Sequence, residues 1–269
     1  MISGFLERRN LVIQLVLKDL KLKYSRPVLG IYWAFLSPLL VVAIFYLVFS
    51  LILKVKTQEA PFILYLMSAV FTWRFFQESV TSSVTSLLDN KNLIRESRFP
   101  HYLVPLSIVL ASLVNFLPSL VILVIAALAF NGFTPLLILL PFVLVIQFVL
   151  TVGVAFIVAF FYVKRRDLKY VLDVLMLLLF YLTPAFYSLF LVKESFSKLL
   201  YQVYLYNPLT GILTLYRMAL LKDYYTAVRN DINLGLLISL LIVFAFAMLS
   251  LGIYLFKKNK LTINDYLAY

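Results

Sequence analysis

The sequence predicts an all-α integral membrane protein with six transmembrane helices, an amino-terminal amphipathic helix at the membrane interface, and a re-entrant helical hairpin between spans five and six. Three observations carry this. Of 269 residues, 64% are hydrophobic and 13% charged, with a mean hydropathy of +1.00, against roughly 45–50% apolar and about 25% charged in soluble domains. Apolar runs at residues 29–53, 62–88, 102–130, 135–163, 168–192 and 232–256 each exceed the roughly 20 residues that about 30 Å of hydrocarbon demands. Residues 195–222 are also apolar but break at Asn207-Pro208, which leaves halves of about a dozen residues, too short to span.

Taking the elements in order, residues 5–24 carry Glu7, Asn10, Gln14, Lys18 and Lys21 at spacings of three and four, with Ser25 continuing the stripe. The other faces hold Phe5, Leu6, Val12, Ile13, Val16, Leu17, Leu20 and Tyr24. Such a helix lies in the interface with its lysines toward headgroups, and residues 1–28 are assigned to it. A soluble helix packed on the rest of the chain gives the same pattern.

The loops then sort by charge. Arg8, Arg9, Lys18, Lys21, Lys23 and Arg26 precede the first run, and Lys91, Arg95 and Arg98 follow the second. Lys164, Arg165, Arg166 and Lys169 follow the fourth, and Lys257, Lys258 and Lys260 the last. The other side has Lys54, Lys56, an uncharged Asn131-Gly132-Phe133-Thr134 turn and scattered charges. The positive-inside bias therefore places both termini in the cytoplasm. Most of the net charge of +12 is orientation, so no nucleic-acid partner is expected.

The chemistry that the chain lacks is equally informative. With no cysteine and a single histidine, His101, neither a disulfide framework nor a thiolate or imidazole metal site is expected. No cleavable signal peptide is expected either, because the first twenty-odd residues lack a compact apolar core followed by a small-residue cleavage site. Carboxylates within the runs are few, Glu78 and Asp173, and no Ser/His/Asp set stands out. The chain has seven glycines and no G-x-x-x-x-G-K-[ST] loop, so it is read as no enzyme. If ATP drives it, ATP and Mg are bound by a separate partner. No internal repeat is visible, which counts against a secondary transporter built from inverted repeats.

Specific residues then carry a family resemblance. Asp19-Leu20-Lys21, Tyr24, Leu29-Gly30, Trp33 and Pro38-Leu39-Leu40 resemble the amino-terminal signature of membrane subunits of polysaccharide ABC exporters, the type-two ABC exporters of O-antigen, teichoic acid and capsule. Asn90-Lys91-Asn92-Leu93-Ile94, Phe99-Pro100, Leu103 and Pro105-Leu106 resemble the family's cytoplasmic segment after span two. Arg166-Asp167, Thr183-Pro184, Phe186-Tyr187, Asn207-Pro208-Leu209-Thr210 and Tyr216-Arg217 resemble its carboxy-terminal half. Pro27 departs from the pattern, since many relatives have a small polar residue there.

The resemblance implies a permease in a bacterial inner membrane. Two copies form the channel, each with its own nucleotide-binding ATPase subunit, and a lipid-linked polysaccharide is moved outward among the membrane lipids. Type-two exporters of a drug or lipid share the architecture, and a secondary transporter or channel is the alternative if no ATPase exists. Residues 89–100, with Asn92, Leu93, Ile94, Arg95 and Phe99, are the implied coupling helix; an ordinary basic loop obeying topology has the same composition.

Three further groups follow from the residues themselves. Arg74 and Glu78, four apart in the second run, are expected to neutralise each other inside the protein. Residues 193–231 are expected to hold an extracytoplasmic gate hinged at Asn207 and Pro208. Tyr181, Tyr187, Tyr201, Tyr204, Tyr206 and Tyr216 crowd this region with Phe186, Tyr224 and Tyr225, and a tyrosine's apolar ring and polar tip suit weak holding of sugars. An interfacial aromatic belt requires the same residues.

Overall fold

A computed structural model describes residues 9–24, 30–54, 61–94 and 99–259, and every element within them is helical. In chain order these are α1 (Arg9–Tyr24), α2 (Trp33–Phe45), α3 (Phe62–Val84), the short α4 (Ser86–Asp89) and α5 (Lys91–Ile94), and α6 (Leu103–Asn131). There follow α7 (Leu140–Lys164), α8 (Leu168–Leu182), α9 (Leu189–Ser195), α10 (Lys198–Leu205), α11 (Pro208–Leu220), α12 (Tyr224–Val228) and α13 (Leu234–Lys258). A tight turn at Gly30–Tyr32 leads into α2, a wide-wound stretch Tyr46–Ile52 extends it, and a tight turn at Pro135–Leu139 leads into α7.

Four of these helical stretches are long and apolar enough to cross a membrane: Trp33–Ile52, Leu103–Phe130, Pro135–Lys164 and Leu234–Lys258. The Asn131 to Thr134 turn joins two of them, with Gly132 at φ 75° closing α6. The second expected span is the helix α3, whose 23 residues reach about 35 Å at 1.5 Å per residue. It is too polar to face lipid and does not need to, since seventeen of its residues are buried against α2, α6, α7, α8 and α11. Several of its hydroxyls are satisfied on their own helix: Ser68 donates to the Tyr65 carbonyl at 2.8 Å and Thr72 to the Ser68 carbonyl at 2.6 Å, whereas the buried Ser79 and Ser83 hydroxyls find no partner among the described residues. Such back-bonding lets a polar helix stand at the centre of an apolar bundle.

The fifth expected run differs from the expectation. Residues 168–192 do not form one helix, because α8 ends at Leu182, Thr183 turns extended at ψ 146° and α9 begins only at Leu189. Pro184 is the cause, since its ring disfavours helical geometry at the preceding residue. The 15 residues of α8 rise about 22 Å.

Asn207 and Pro208 act as the sequence suggests. The Asn207 side chain accepts from the Leu209 amide at 3.0 Å and Pro208 takes the first helical position of α11, the favoured start of a helix. The two halves differ in burial. In α10 only Tyr201 and Leu205 are buried, whereas in α11 every residue from Thr210 to Leu220 is, wedged among α3, α7 and α13.

The closest helix crossing is α7 on α13. A Cβ on Gly153 would lie 2.5 Å from the Leu249 nitrogen, and one on Gly252 would lie 2.7 Å from Phe156 Cβ. Small residues at such a contact let two membrane helices approach backbone to backbone. At the other end of the bundle α1 packs along α6 through Val12 and Leu15. Its lysines correct one expectation: Lys18 binds the Asn90 side-chain oxygen, whereas Asn10, Gln14 and Lys21 of the polar stripe are exposed. Glu7 and Ser25, with the rest of residues 1–8 and 25–28, lie outside the described residues.

Candidate functional site

Two adjoining cavities lie between the amino-terminal helices and α3. The larger, about 480 Å³, is enclosed by α2, α3 and α8. Its polar wall is Ser37, Arg74, Gln77, Glu78 and Thr81, and its aromatic wall is Phe45, Trp73 and Phe180. The smaller, about 260 Å³, shares Ser37, Arg74 and Glu78 and adds Lys23, Tyr24, Ser112 and Asn115 from α1 and α6. Helix geometry explains the sharing: Arg74 and Glu78 are one turn apart and face the same gap.

The expected Arg74–Glu78 ion pair is not formed. Glu78 pairs instead with Lys23 of α1, and Arg74 Nη1 donates to the Ser37 hydroxyl at 3.0 Å. The reason is reach, because α1 and the head of α2 present partners directly across the cavity. The Tyr24 hydroxyl donates to the Asn115 side chain at 2.9 Å. Burial, with the Glu78 charge nearby, pushes its pKa up to about 12, so it acts as a neutral donor. Asp19 accepts from the Ser107 hydroxyl at 3.1 Å, and burial raises its pKa above the usual 3.8.

An aromatic ladder continues upward from the larger cavity. Trp73 and Phe180 have ring centroids 5.5 Å apart, Phe45 and Phe180 5.9 Å, Phe180 and Phe186 6.1 Å, and Phe49 and Phe186 4.7 Å. Tyr181 and Tyr187 flank Phe186 at 5.6 and 5.3 Å. Tyr187 donates to the Tyr181 carbonyl at 3.0 Å and meets the Tyr204 hydroxyl at 2.9 Å. Tyr181, Tyr187 and Tyr204 are thus brought together. Phe45, Phe49 and Trp73 belong to the same ladder and escaped the sequence reading, which followed tyrosines; the aromatic spacing of Phe45 and Phe49 at four was the available signal.

The remaining residues expected at a gate divide. Tyr216 is fully buried with its hydroxyl donating to Gln147 Oε1 at 2.7 Å, so it faces the bundle and not a conduit. Tyr201 is buried, its hydroxyl on Asp231 at 3.3 Å, while the half-buried Tyr206 accepts from the Asn233 amide at 3.2 Å. Lys193 closes this corner through a salt bridge to Asp231 at 2.8 Å. In the segment between α3 and α6 Asn92 is exposed and Leu93 half-buried, whereas Ile94 and Phe99 are turned into the chain's own core. Arg95 lies outside the described residues. Phe99, named with the implied coupling helix, is held inward by the tight turn into α6.

The residues that build these features are contiguous with one family signature. Residues 10–221 match the ABC-2 type transporter family. The chain belongs to the ABC-2 transporters. Among relatives, an O-antigen export system permease protein RfbA of Klebsiella pneumoniae is 29% identical over 254 residues, 93% of this chain and 92% of its own. The RfbA of the same name from Myxococcus xanthus is 30% identical over 210 residues, 78% of this chain and 79% of its own. Within this ABC-2 chain the cavities, the aromatic ladder and α11 all lie inside the matched segment or at its border, as α11 ends at Leu220.

Proposed function

We propose that this chain is the channel-forming membrane subunit of an ATP-driven exporter that moves a lipid-linked, O-antigen-like polysaccharide across a bacterial inner membrane. The observation that carries the reading is the aromatic ladder rising from a polar cavity, in a chain similar over nearly its whole length to an O-antigen export permease. Sugars present apolar C–H faces and a hydroxyl rim. A path that offers rings above and hydroxyl, amide and charged groups below holds each unit weakly enough to release it.

In this reading α2, α3, α6, α7, α8 with its bent continuation, and α13 are the six crossings, and both termini are cytoplasmic. α10 and α11 dip into the outer leaflet as the gate. Two observations support the dip. Leu209, at the start of α11, packs on the cluster that contains Trp73 and Phe76 in the middle of α3, while Tyr224, just beyond α11, has its ring 6.2 Å from Tyr65 near the start of α3. Non-helical backbone at such depth is tolerated only where protein covers it.

Two copies would form the conduit between them, each docking one ATPase through the exposed Lys91 and Asn92 beside Leu93. ATP and Mg belong to that partner. Copurification tests this: the chain should carry two ATPase subunits per pair, and membranes should retain their polymer on the cytoplasmic face when either subunit is deleted. Export that persists without any ATPase would contradict the proposal.

A further inference from the structure

Among the described residues Arg217 is the largest side chain with no exposed surface, and it enters no salt bridge. Its guanidinium is held by dipoles from two other segments. Nη2 donates to the Tyr65 carbonyl at 3.3 Å and to the Ala185 carbonyl at 3.1 Å, and Nε lies 3.4 Å from the Ser68 hydroxyl. Cζ sits 3.3 Å from the centroid of the Tyr65 ring. Nη1 has no partner among the described residues, so the carbonyls on Nη2, the hydroxyl near Nε and the ring replace the water of a buried cation, and the geometry that supplies them is strongly preferred. What they join is specific: Arg217 belongs to α11, Tyr65 and Ser68 to the head of α3, and Ala185 to the bend after α8.

The neighbouring contacts repeat the division. α11 is also fixed through Tyr216 to Gln147, and Gly211 packs it closely on α13, where a Cβ would lie 2.9 Å from the movable Leu237 Cδ1. α10 has no equivalent. Leu199, Leu200 and Val203 are 73%, 53% and 65% exposed. The helix is fastened by only two buried side chains, Tyr201 and Leu205, and by tyrosine hydroxyls, Tyr201 to Asp231 and Tyr204 to Tyr187, which can be exchanged for water or for sugar hydroxyls.

We infer that Arg217 is the positioning residue of the gate: it bolts α11 and the bend at Ala185 to α3, so that α11 is the fixed side of the outer mouth and α10 the side that moves. This rests on the exporter reading above and goes beyond it, because it assigns the motion to one half of the hairpin. Lysine does not substitute, since a point charge cannot stack on Tyr65 and reach two carbonyls in one plane.

The test uses the complete transporter with its ATPase in membranes. The chain is cysteine-free, so L199C and T214C can be introduced singly and labelled from outside with an impermeant maleimide, at rest and during ATP turnover. Thr214 is fully buried and its hydroxyl has no hydrogen-bond partner among the described residues, which makes T214C a mild change. L199C should react readily and change its rate with turnover, while T214C should react at least about tenfold more slowly in both states. Adding R217M, or R217K, to T214C should raise its labelling about tenfold, the loss of most of that protection. If R217M does not accumulate, Y65L, which removes the ring beneath the guanidinium but keeps the charge, should act in the same direction. T214C reacting as fast as L199C in the unmutated transporter during turnover would overturn the assignment, as would unchanged protection in R217M. Polymer export measured alongside separates the two readings. If no polymer moves but the labelling contrast holds, the bolt stands and the substrate assignment fails; if export is normal and T214C labels freely, only the bolt fails.

Discussion

Alanine at Gly153 should pry α13 away from α7. Its methyl would stand 2.5 Å from the Leu249 nitrogen, 2.6 Å from the Met248 carbonyl carbon and 2.9 Å from Leu249 Cα, where ordinary contact begins at 3.4 Å. All three are backbone atoms, so none can rotate aside. Restoring contact requires the helices to part by about 1 Å, which forfeits a quarter to a half of the attraction of each atom pair along the crossing. Overpacking of this kind costs about 1–3 kcal/mol, and alanine's better helix propensity returns up to about 1 kcal/mol. The net destabilisation should be about 1–2 kcal/mol, or a melting temperature lower by a few degrees for a chain of this size. Thermal unfolding in detergent, followed by tryptophan fluorescence, measures it. Gly235→Ala is the control: its methyl would meet Asn233 Oδ1 at an ordinary 3.5 Å, so its melting temperature should stay level or rise. G153A melting at or above the wild-type temperature, or the two variants shifting alike, would refute the packing argument.

Other perturbations read other parts of the molecule. Tyr216→Phe leaves Gln147 Oε1 buried without its donor and should cost about 1–2 kcal/mol, while adding Gln147→Leu should recover part of that loss in a double-mutant cycle because no polar atom is then stranded. Asp19 has a folded pKa raised above 3.8 by burial, so the folded state holds its proton more tightly. Its stability contribution is greatest at pH below 3.8 and is lost as pH rises through the folded value. Asp19→Asn should flatten that acid-side slope in a pH series of melting temperatures and be at least as stable near neutrality; an unchanged slope would show that Asp19 is not its source. Single cysteines at Lys91 and Lys198, both exposed, should label from opposite sides of the membrane, Lys198 from outside; outside labelling at Lys91 would invert the topology.

Much of this was legible in the sequence, and the physical reasons separate what was from what was not. Long apolar runs and the Asn207-Pro208 start signal act locally, so α2, α6, α7, α13 and the α10/α11 break follow from residues close in the chain. The break after α8 was legible as Thr183-Pro184, although length and apolarity alone let residues 168–192 count as one span. Partner choice was beyond reach: spacing of four pairs Arg74 with Glu78 on one helix, but only the docking of α1 brings Lys23 to Glu78. Burial was likewise hidden. Tyr216 and Tyr204 look alike in sequence, and what distinguishes them is Gln147, 69 residues away from Tyr216. Arg217 was legible only as part of the Tyr216-Arg217 match and not as a buried group, because nothing local marks a cation as buried.

The most direct test of the account is transport itself. Inverted vesicles containing this chain and its ATPase, loaded on the outer surface with a radiolabelled lipid-linked polysaccharide, should move the polymer into a compartment protected from glycosidase when ATP is added. Protection should require both subunits and hydrolysable ATP. Polymer that stays accessible to the enzyme while the same vesicles pump a drug or a phospholipid would contradict the central claim.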